Sequence, residues 1–307
     1  MIRKLKESVI TAVLRYERNL AVNEWAENEL LSDKAITELA SSAISEGRPW
    51  AMGKVGANEQ VLAMWNNQLS VPSFFGHRRM KYTNTTHMAS NAGLRPRDQE
   101  SYHQFGDLLN ESIVGTDLLG IWQNPGEKKL YQTLKHGGNY CNFFHFDPWF
   151  HDRAWSMEMK DKTLFVVSPF FELIQQQAAR SKEIWGEKSV LPDVKIEGVS
   201  FPFMTDDACN LDWRDVYQNI CQKMEATDFD ICLTGCGALG LPLAVHAKGM
   251  GKVGIHLGGM LQILFGIKGK RYEQAENYAA LMNEFWVSPT EEMRPKNFST
   301  IEDECYW

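Results

Sequence analysis

Residues 228–271 read DFDICLTGCGALGLPLAVHAKGMGKVGIHLGGMLQILFGIKGKR, and this stretch constrains the fold more than any other. Phe229 to Thr234 is a short apolar run of the kind a buried strand requires. Gly235-Cys236-Gly237-Ala238-Leu239-Gly240 follows as a complete G-x-G-x-x-G. Leu241 to Lys248 has helical composition, with Pro242 in the first turn, where its missing N–H costs little, and Gly249 and Gly251 as stops. Lys252 to Leu257 predicts a second strand, Gly258-Gly259 a turn, and Met260 to Phe265 another helical run. A strand–helix–strand–turn–helix unit of this kind binds nucleotides at the C-terminal ends of its strands.

In such a unit Gly235 permits the tight turn, Gly237 a close approach of backbone to a pyrophosphate, and Gly240 close packing of helix on sheet. The helix N-terminus adds unpaired N–H groups and a positive dipole end. A dinucleotide site also needs an acidic residue about 20 positions after the glycines. The end of the second strand reads Ile255-His256-Leu257-Gly258-Gly259, with no acid and no Arg for a 2′-phosphate. An NAD(P)-linked oxidoreductase therefore ranks below other users of phosphate-bearing ligands, and glycines serving only tight packing remain the bland alternative.

The 307 residues suffice for one large domain or two small ones, and 44% hydrophobic with 23% charged residues is ordinary globular composition. A formal net charge of -7 gives no electrostatic support to nucleic-acid binding. No apolar run is long enough for a membrane span, and Glu7, Arg15, Glu17 and Arg18 break the segment a signal peptide would need. Cys141, Cys209, Cys221, Cys232, Cys236 and Cys305 show no C-x-x-C spacing and read as reduced thiols, hence a cytoplasmic protein.

Upstream, residues 2–19 carry apolar positions at helical spacing, and Ser32 to Glu46 predicts a second helix capped by Ser32 or Asp33 and stopped by Gly47 and Pro49. This N-terminal helical pair, residues 1–47, leaves a homo-oligomer interface open. Trp50 to Lys54 reads as a strand, Val55 to Asn58 as a turn, and a helix opens near Glu59. Glu59 in a first turn is favoured by the dipole, which explains it without catalysis. Residues 72–97, with Arg78, Arg79, Tyr82, His87, Asn91, Arg95 and Arg97, predict a loop-rich segment with a short helix. Further helices are expected at Asp98 to Ile113, from Pro169 after a Ser168 cap, and at Asp212 to Glu225. Further strands are expected at Thr116 to Trp122, Lys162 to Ser168 and Val194 to Val199. His145, Asp147, His151 and Asp152 are metal-ligand types but match no compact zinc pattern, and read as polar tips on an apolar loop. The aromatic tail, Asn283 to Trp307, is expected to dock. The sum is an α/β fold, Rossmann-like, with a mostly parallel sheet and helices on both faces over residues 48–307.

Seven segments in order give a more specific reading: KVGANE (54–59), NAG (91–93), LLGIWQNPGE (118–127), KTLFVVSPF (162–170), FDICLTGCGALGLPLA (229–244), GKVGIHLGGMLQILFGIKGKR (251–271) and ECYW (304–307). As a set, covering most of the chain from Trp50 onward, they resemble the GT-D-fold glycosyltransferase-like family, bacterial proteins associated with surface-polysaccharide and protein-glycan assembly. The resemblance implies a glycosyltransferase that draws on a nucleotide-sugar donor and a glycan or lipid-linked acceptor in polysaccharide or glycan biosynthesis.

The family's first strand–turn–helix carries G-D-G-E, whose Asp-x-Glu pair is implicated in metal and nucleotide-sugar binding. Here those positions are Gly56, Ala57, Asn58 and Glu59. With Ala57 in place of the aspartate, Glu59 is the only motif carboxylate for Mg²⁺ or Mn²⁺, which usually takes one or two carboxylates plus substrate phosphates. Three outcomes stay open: Glu59 suffices with the diphosphate, the enzyme is metal-independent, or a non-catalytic nucleotide- or glycan-binding relative remains. For the donor diphosphate the reading favours Gly235, Gly237 and Gly240, helped by Gly56, Asn58, Gly258, Gly259 and a cation from Lys268, Lys270 or Arg271. Glu59 and His256 are the candidate catalytic bases, with a buried, hydrogen-bonded histidine as the alternative for His256, and Asn91 and Gln262 are the candidate sugar ligands.

Overall fold

In the computed structural model, Asn19 and residues 24–73, 76–205, 209–295 and 306–307 are described. The expected helix over 2–19 falls outside them, apart from Asn19. The second helix forms as Asp33–Glu46, with Ser32 Oγ accepting the Ala35 N–H and Gly47 closing it at φ 64°. Its buried face, Ile36, Ala40, Ala43 and Ile44, packs into the same core as the central strands.

Seven strands form one parallel sheet: β1 Trp50–Lys54, β4 Leu118–Ile121, β5 Asn139–Asn142, β6 Thr163–Ser168, β7 Lys195–Ser200, β8 Ile231–Thr234 and β9 Val253–His256. Their order is β5-β4-β1-β9-β8-β6-β7. The register places Met52 beside Ile255 and Leu233 beside Ile255, so β9 sits between β1 and β8.

Alternate residues of each strand feed two separate cores, as the pleat requires. Leu164, Val166, Ile231, Leu233, Val253 and Ile255 face one. Phe165, Val167, Cys232 and Leu119 face the other. Helix Phe171–Ala178, which follows β6, covers the first face through Leu173 and Ile174. Helices Ala57–Asn66, Trp213–Glu225 and Gly240–Gly249 cover the second, through Leu62, Ile220 and Leu243. The sheet is thus Rossmann-like with helices on both faces.

Beside β8 the chain turns towards β9, while beside β6 it turns away to β7 on the other face. Adjacent strands whose connections diverge open a crevice at their C-terminal ends, the usual ligand position in open α/β sheets.

Several local expectations shift. A hairpin, β2 Ser70–Ser73 and β3 Gly76–Arg79, stands at the start of the segment read as loop. Its four-residue strands carry Pro72 and two arginines and lack apolar alternation. The helix after β6 begins at Phe171, not Pro169, because Ser168 Oγ accepts the Phe170 N–H and caps a bend ahead of the helix. Edge strand β5 and helix Glu127–Thr133 have no counterpart in the sequence reading. The tail does return to the body: Trp286 and Trp307 are buried, and Trp307 packs on Phe170 and Phe203. No helix among the described residues is long and apolar enough to cross a membrane.

Candidate functional site

A cavity of about 840 Å³ lies across the C-terminal ends of all seven parallel strands. Each strand contributes at or just beyond its last residue: Phe143 and Phe144 after β5, Trp122 after β4, Lys54 and Gly56 at β1, His256 and Gly258 at β9, Gly235 at β8, Ser168 and Phe170 at β6, Phe201 and Phe203 after β7. The volume falls in the range of cofactor and substrate pockets.

Of the residues expected to bind ligand, Gly56, Asn58, Glu59, Asn91, Gly235, Gly237, His256, Gly258, Gly259, Gln262 and Arg271 all line this one cavity. Gly240 and Lys268 do not. A β-carbon on Gly240 would stand 2.1 Å from His256 Cε1, so this glycine makes room for the histidine ring. Lys268 donates its backbone N–H to Val287 O at 2.7 Å and lies away from the lining.

The glycine turn permits close packing beside the cavity. Gly237 has φ 60°, and a β-carbon there would meet Ala92 O at 2.7 Å. The next residue, Ala238, donates its N–H to the same carbonyl at 3.2 Å. The NAG segment is therefore latched onto the turn, and that N–H is committed to protein. Gly235 fits against Gly258 O in the same way, at 2.8 Å from a built β-carbon.

Glu59 is the third residue of helix Ala57–Asn66, whose cap is Gly56. Its carboxylate folds back over the cap, with Oε2 2.4 Å from where a Gly56 β-carbon would stand. That is the dipole-favoured placement at a helix start. It nonetheless keeps the carboxylate in the cavity wall, where Glu59 is the only Asp or Glu among the described residues.

His256 is buried, and a hydrogen-bond chain fixes its tautomer. Thr234 Oγ1 donates to Gly240 O at 2.8 Å, so at 3.0 Å it accepts from His256 Nδ1–H. Nε2 is left as the lone-pair nitrogen. Burial, with the Lys54 charge adding to it, pushes the imidazole down to about 3, so His256 is neutral at pH 7.

Sequence reasoning gave no ligand role to Lys54, Trp122 and Phe143, which line the cavity, or to Asp147, whose charge acts on Lys54. Lys54 ends β1 at 7% exposure, its Nζ 5.5 Å from the ring centroids of both Trp122 and Phe143. Those rings stack at 3.6 Å. Burial pushes the ammonium down to about 8, against the attraction of Asp147. Asp147 is fully buried and accepts from Tyr278 Oη, while its Oδ1 has no hydrogen-bond partner. Burial pushes this carboxyl up to about 6. The residue read as a polar tip on an apolar loop is thus enclosed in the core. The available signal for Lys54 was a lysine closing an apolar strand, two residues before Gly56.

His145 and His151 are used structurally. His145 Nδ1 meets Asp33 Oδ1 at 2.7 Å, and His151 Nδ1 meets Thr37 Oγ1 at 2.7 Å. Among the described residues no three His, Cys, Asp or Glu side chains group as metal ligands. The lining, with one carboxylate, does not by itself fit a resident Mg²⁺ or Mn²⁺.

The remaining walls are polar and aromatic. Gln262 Nε2 donates to Tyr306 O at 3.2 Å, and its buried Oε1 has no partner. Arg271 lies over the Tyr306 ring, 5.7 Å from its centroid. Arg95, from the 72–97 segment, is buried away from the cavity and binds Met204 O and Thr205 O.

The chain matches no family model, no curated protein and no solved structure.

Proposed function

We propose that the cavity binds a nucleoside diphosphate sugar and that the protein transfers its glycosyl group to a hydroxyl of a glycan or lipid-linked acceptor. The observation that carries this reading is the cavity itself. It spans all seven strand ends, and it combines cations (Lys54, Arg271) with stacked and edge-on aromatic rings and a few unpaired polar atoms. Cations stabilise a leaving diphosphate, and aromatic faces suit a sugar or a base. The end of β9 carries no ribose-binding acid, which disfavours a dinucleotide.

In the reaction the acceptor oxygen attacks the anomeric carbon while the bond to the β-phosphate oxygen breaks. The nucleoside diphosphate leaves with the bonding pair. The acceptor proton goes to Glu59, the one carboxylate of the described lining. His256 is too weakly basic for that step, and its bare Nε2 serves as a hydrogen-bond acceptor that orients a hydroxyl. No step is assigned to a metal.

A second reading has its own support. The Glu59 carboxylate is folded over its helix cap, as a purely structural residue would be. A protein that binds donor without turning it over would fit this geometry. A panel of UDP-, GDP- and CMP-sugars, assayed for thermal stabilisation and for nucleotide release with and without Mn²⁺, separates the two. Stabilisation with release that Glu59→Gln abolishes supports transfer. Stabilisation without release supports the binding protein, and no response to any donor rejects both.

A further inference from the structure

Lys54 and His256 are the last residues of neighbouring parallel strands, and the chain turns at Gly258 just beyond them. The point where a Gly258 β-carbon would stand is 4.0 Å from both Lys54 Nζ and His256 Cε1. All three residues line the cavity. The charged and titratable groups around Lys54 come from several elements. Asp147, after β5, attracts it. Arg271, on helix Lys270–Glu273, repels it, and His256 feels the Lys54 charge in turn. Glu59 and Tyr278 share the same cavity.

Buried ammonium groups are normally paired. Asp147 attracts Lys54 but makes no ion pair with it, and its carboxylate already accepts from Tyr278. The Arg271 charge also acts on Lys54 and depresses its ammonium further. A ligand bearing two or more negative charges turns that repulsion into attraction.

We infer that the ends of β1 and β9 form a diphosphate seat, with Lys54 Nζ as its principal cation, Arg271 as its second, and the space over Gly258 as the place of the phosphate oxygens. This assigns the phosphate to a different junction from the glycine turn at 235–240. The inference deepens the donor reading and rests on it only for the nucleoside.

A proton consequence follows. An adjacent phosphate raises the Lys54 ammonium from its depressed value of about 8. Binding above that pH takes up a proton, and affinity falls as pH rises past it.

The test is calorimetric titration of the full chain with inorganic pyrophosphate and with UDP, at about pH 7.5 and about pH 9, on wild type, Lys54→Met and Lys54→Arg. Melting temperatures check that each variant is folded. Lys54→Met should weaken both probes by at least ~10-fold at the lower pH. Lys54→Arg should keep most of the affinity and lose the extra weakening at high pH, since a guanidinium stays charged. Comparison with Lys54→Arg also cancels the ligands' own titration. Binding that survives Lys54→Met overturns the seat and leaves the donor reading intact. Equal pH dependence in wild type and Lys54→Arg overturns it as well, as does the absence of binding by either probe. Lys54-dependent pyrophosphate binding with no response to any nucleotide sugar upholds the seat and defeats the donor reading.

Discussion

Two strand–glycine–helix junctions open onto the same cavity, and they do different work. At the β8 junction, glycines let two backbone carbonyls and one ring approach closely: Ala92 O at Gly237, Gly258 O at Gly235, and the His256 ring at Gly240. At the β1 junction, the chain delivers a buried cation and a carboxylate to the cavity. The complete G-x-G-x-x-G sits at the first and the broken G-A-N-E at the second. A glycine pattern reports that something passes close to the backbone, and here that something is protein. On the proposed reading, charge at a strand end is the better indicator of ligand chemistry.

This contrast can be broken or sharpened by substitution. Gly240→Val should have the largest effect, a loss of at least ~3 kcal/mol of unfolding free energy in denaturant, because the added carbons meet a buried ring. A fully stable Gly240→Val with weakened donor binding would instead mark that turn as a ligand cradle.

The β1 side of the cavity should titrate. Glu127 is buried and accepts N–H bonds from Trp122 and Asn124 and the Tyr131 hydroxyl, holding the loop that carries Trp122. Burial pushes its carboxyl up to about 7. A carboxyl raised by folding contributes stability that is fully present below its unfolded value and lost as pH rises through the folded one. The window here runs from about 4.5 to about 7, over which wild type should lose up to ~3 kcal/mol relative to Glu127→Gln. Chemical denaturation of both proteins across that range checks it, and parallel pH curves would show that Glu127 is ionised in the fold.

Gly237→Ala should cost about 2 kcal/mol, from left-handed backbone and the Ala92 carbonyl together. Donor binding, measured at a temperature where the variant is folded, should change little. The smallest effect is expected at Glu59→Gln, about 0.5 kcal/mol of stability from the lost helix-start charge. Donor affinity should be kept and nucleotide release abolished. Unchanged release would move Glu59 entirely to the cap.

Much of this was legible in the chain. Short apolar runs bounded by glycine, proline or charged residues gave β1, β6, β8 and β9 within two residues, because strands buried on both faces have little freedom in composition. The helix expected at 212–225 was equally plain and forms as Trp213–Glu225, with Trp213, Val216, Ile220 and Met224 buried. Most residues read as ligand-binding do gather at one cavity, since they sit at strand ends and parallel strands share one end.

What escaped was decided by distance in sequence. Asp147 is read locally among aromatics, and only the fold brings Tyr278 and Lys54 to it. Trp122 and Phe143 stack because β4 and β5 are neighbours, and edge strand β5, whose burial is mixed along NYCN, carried no apolar pattern to announce it. Tyr306 reaches the cavity lining beside Gln262, which lies far upstream and donates to its carbonyl.

The most direct test of a diphosphate-sugar site over the strand ends is a comparison of equilibrium dissociation constants for each nucleotide sugar and for its matching free nucleoside. The account predicts that one donor binds at least ~100-fold more tightly than its nucleoside, the difference coming from the cations. Equal affinity for the two, or tighter binding of the uncharged nucleoside, would contradict it.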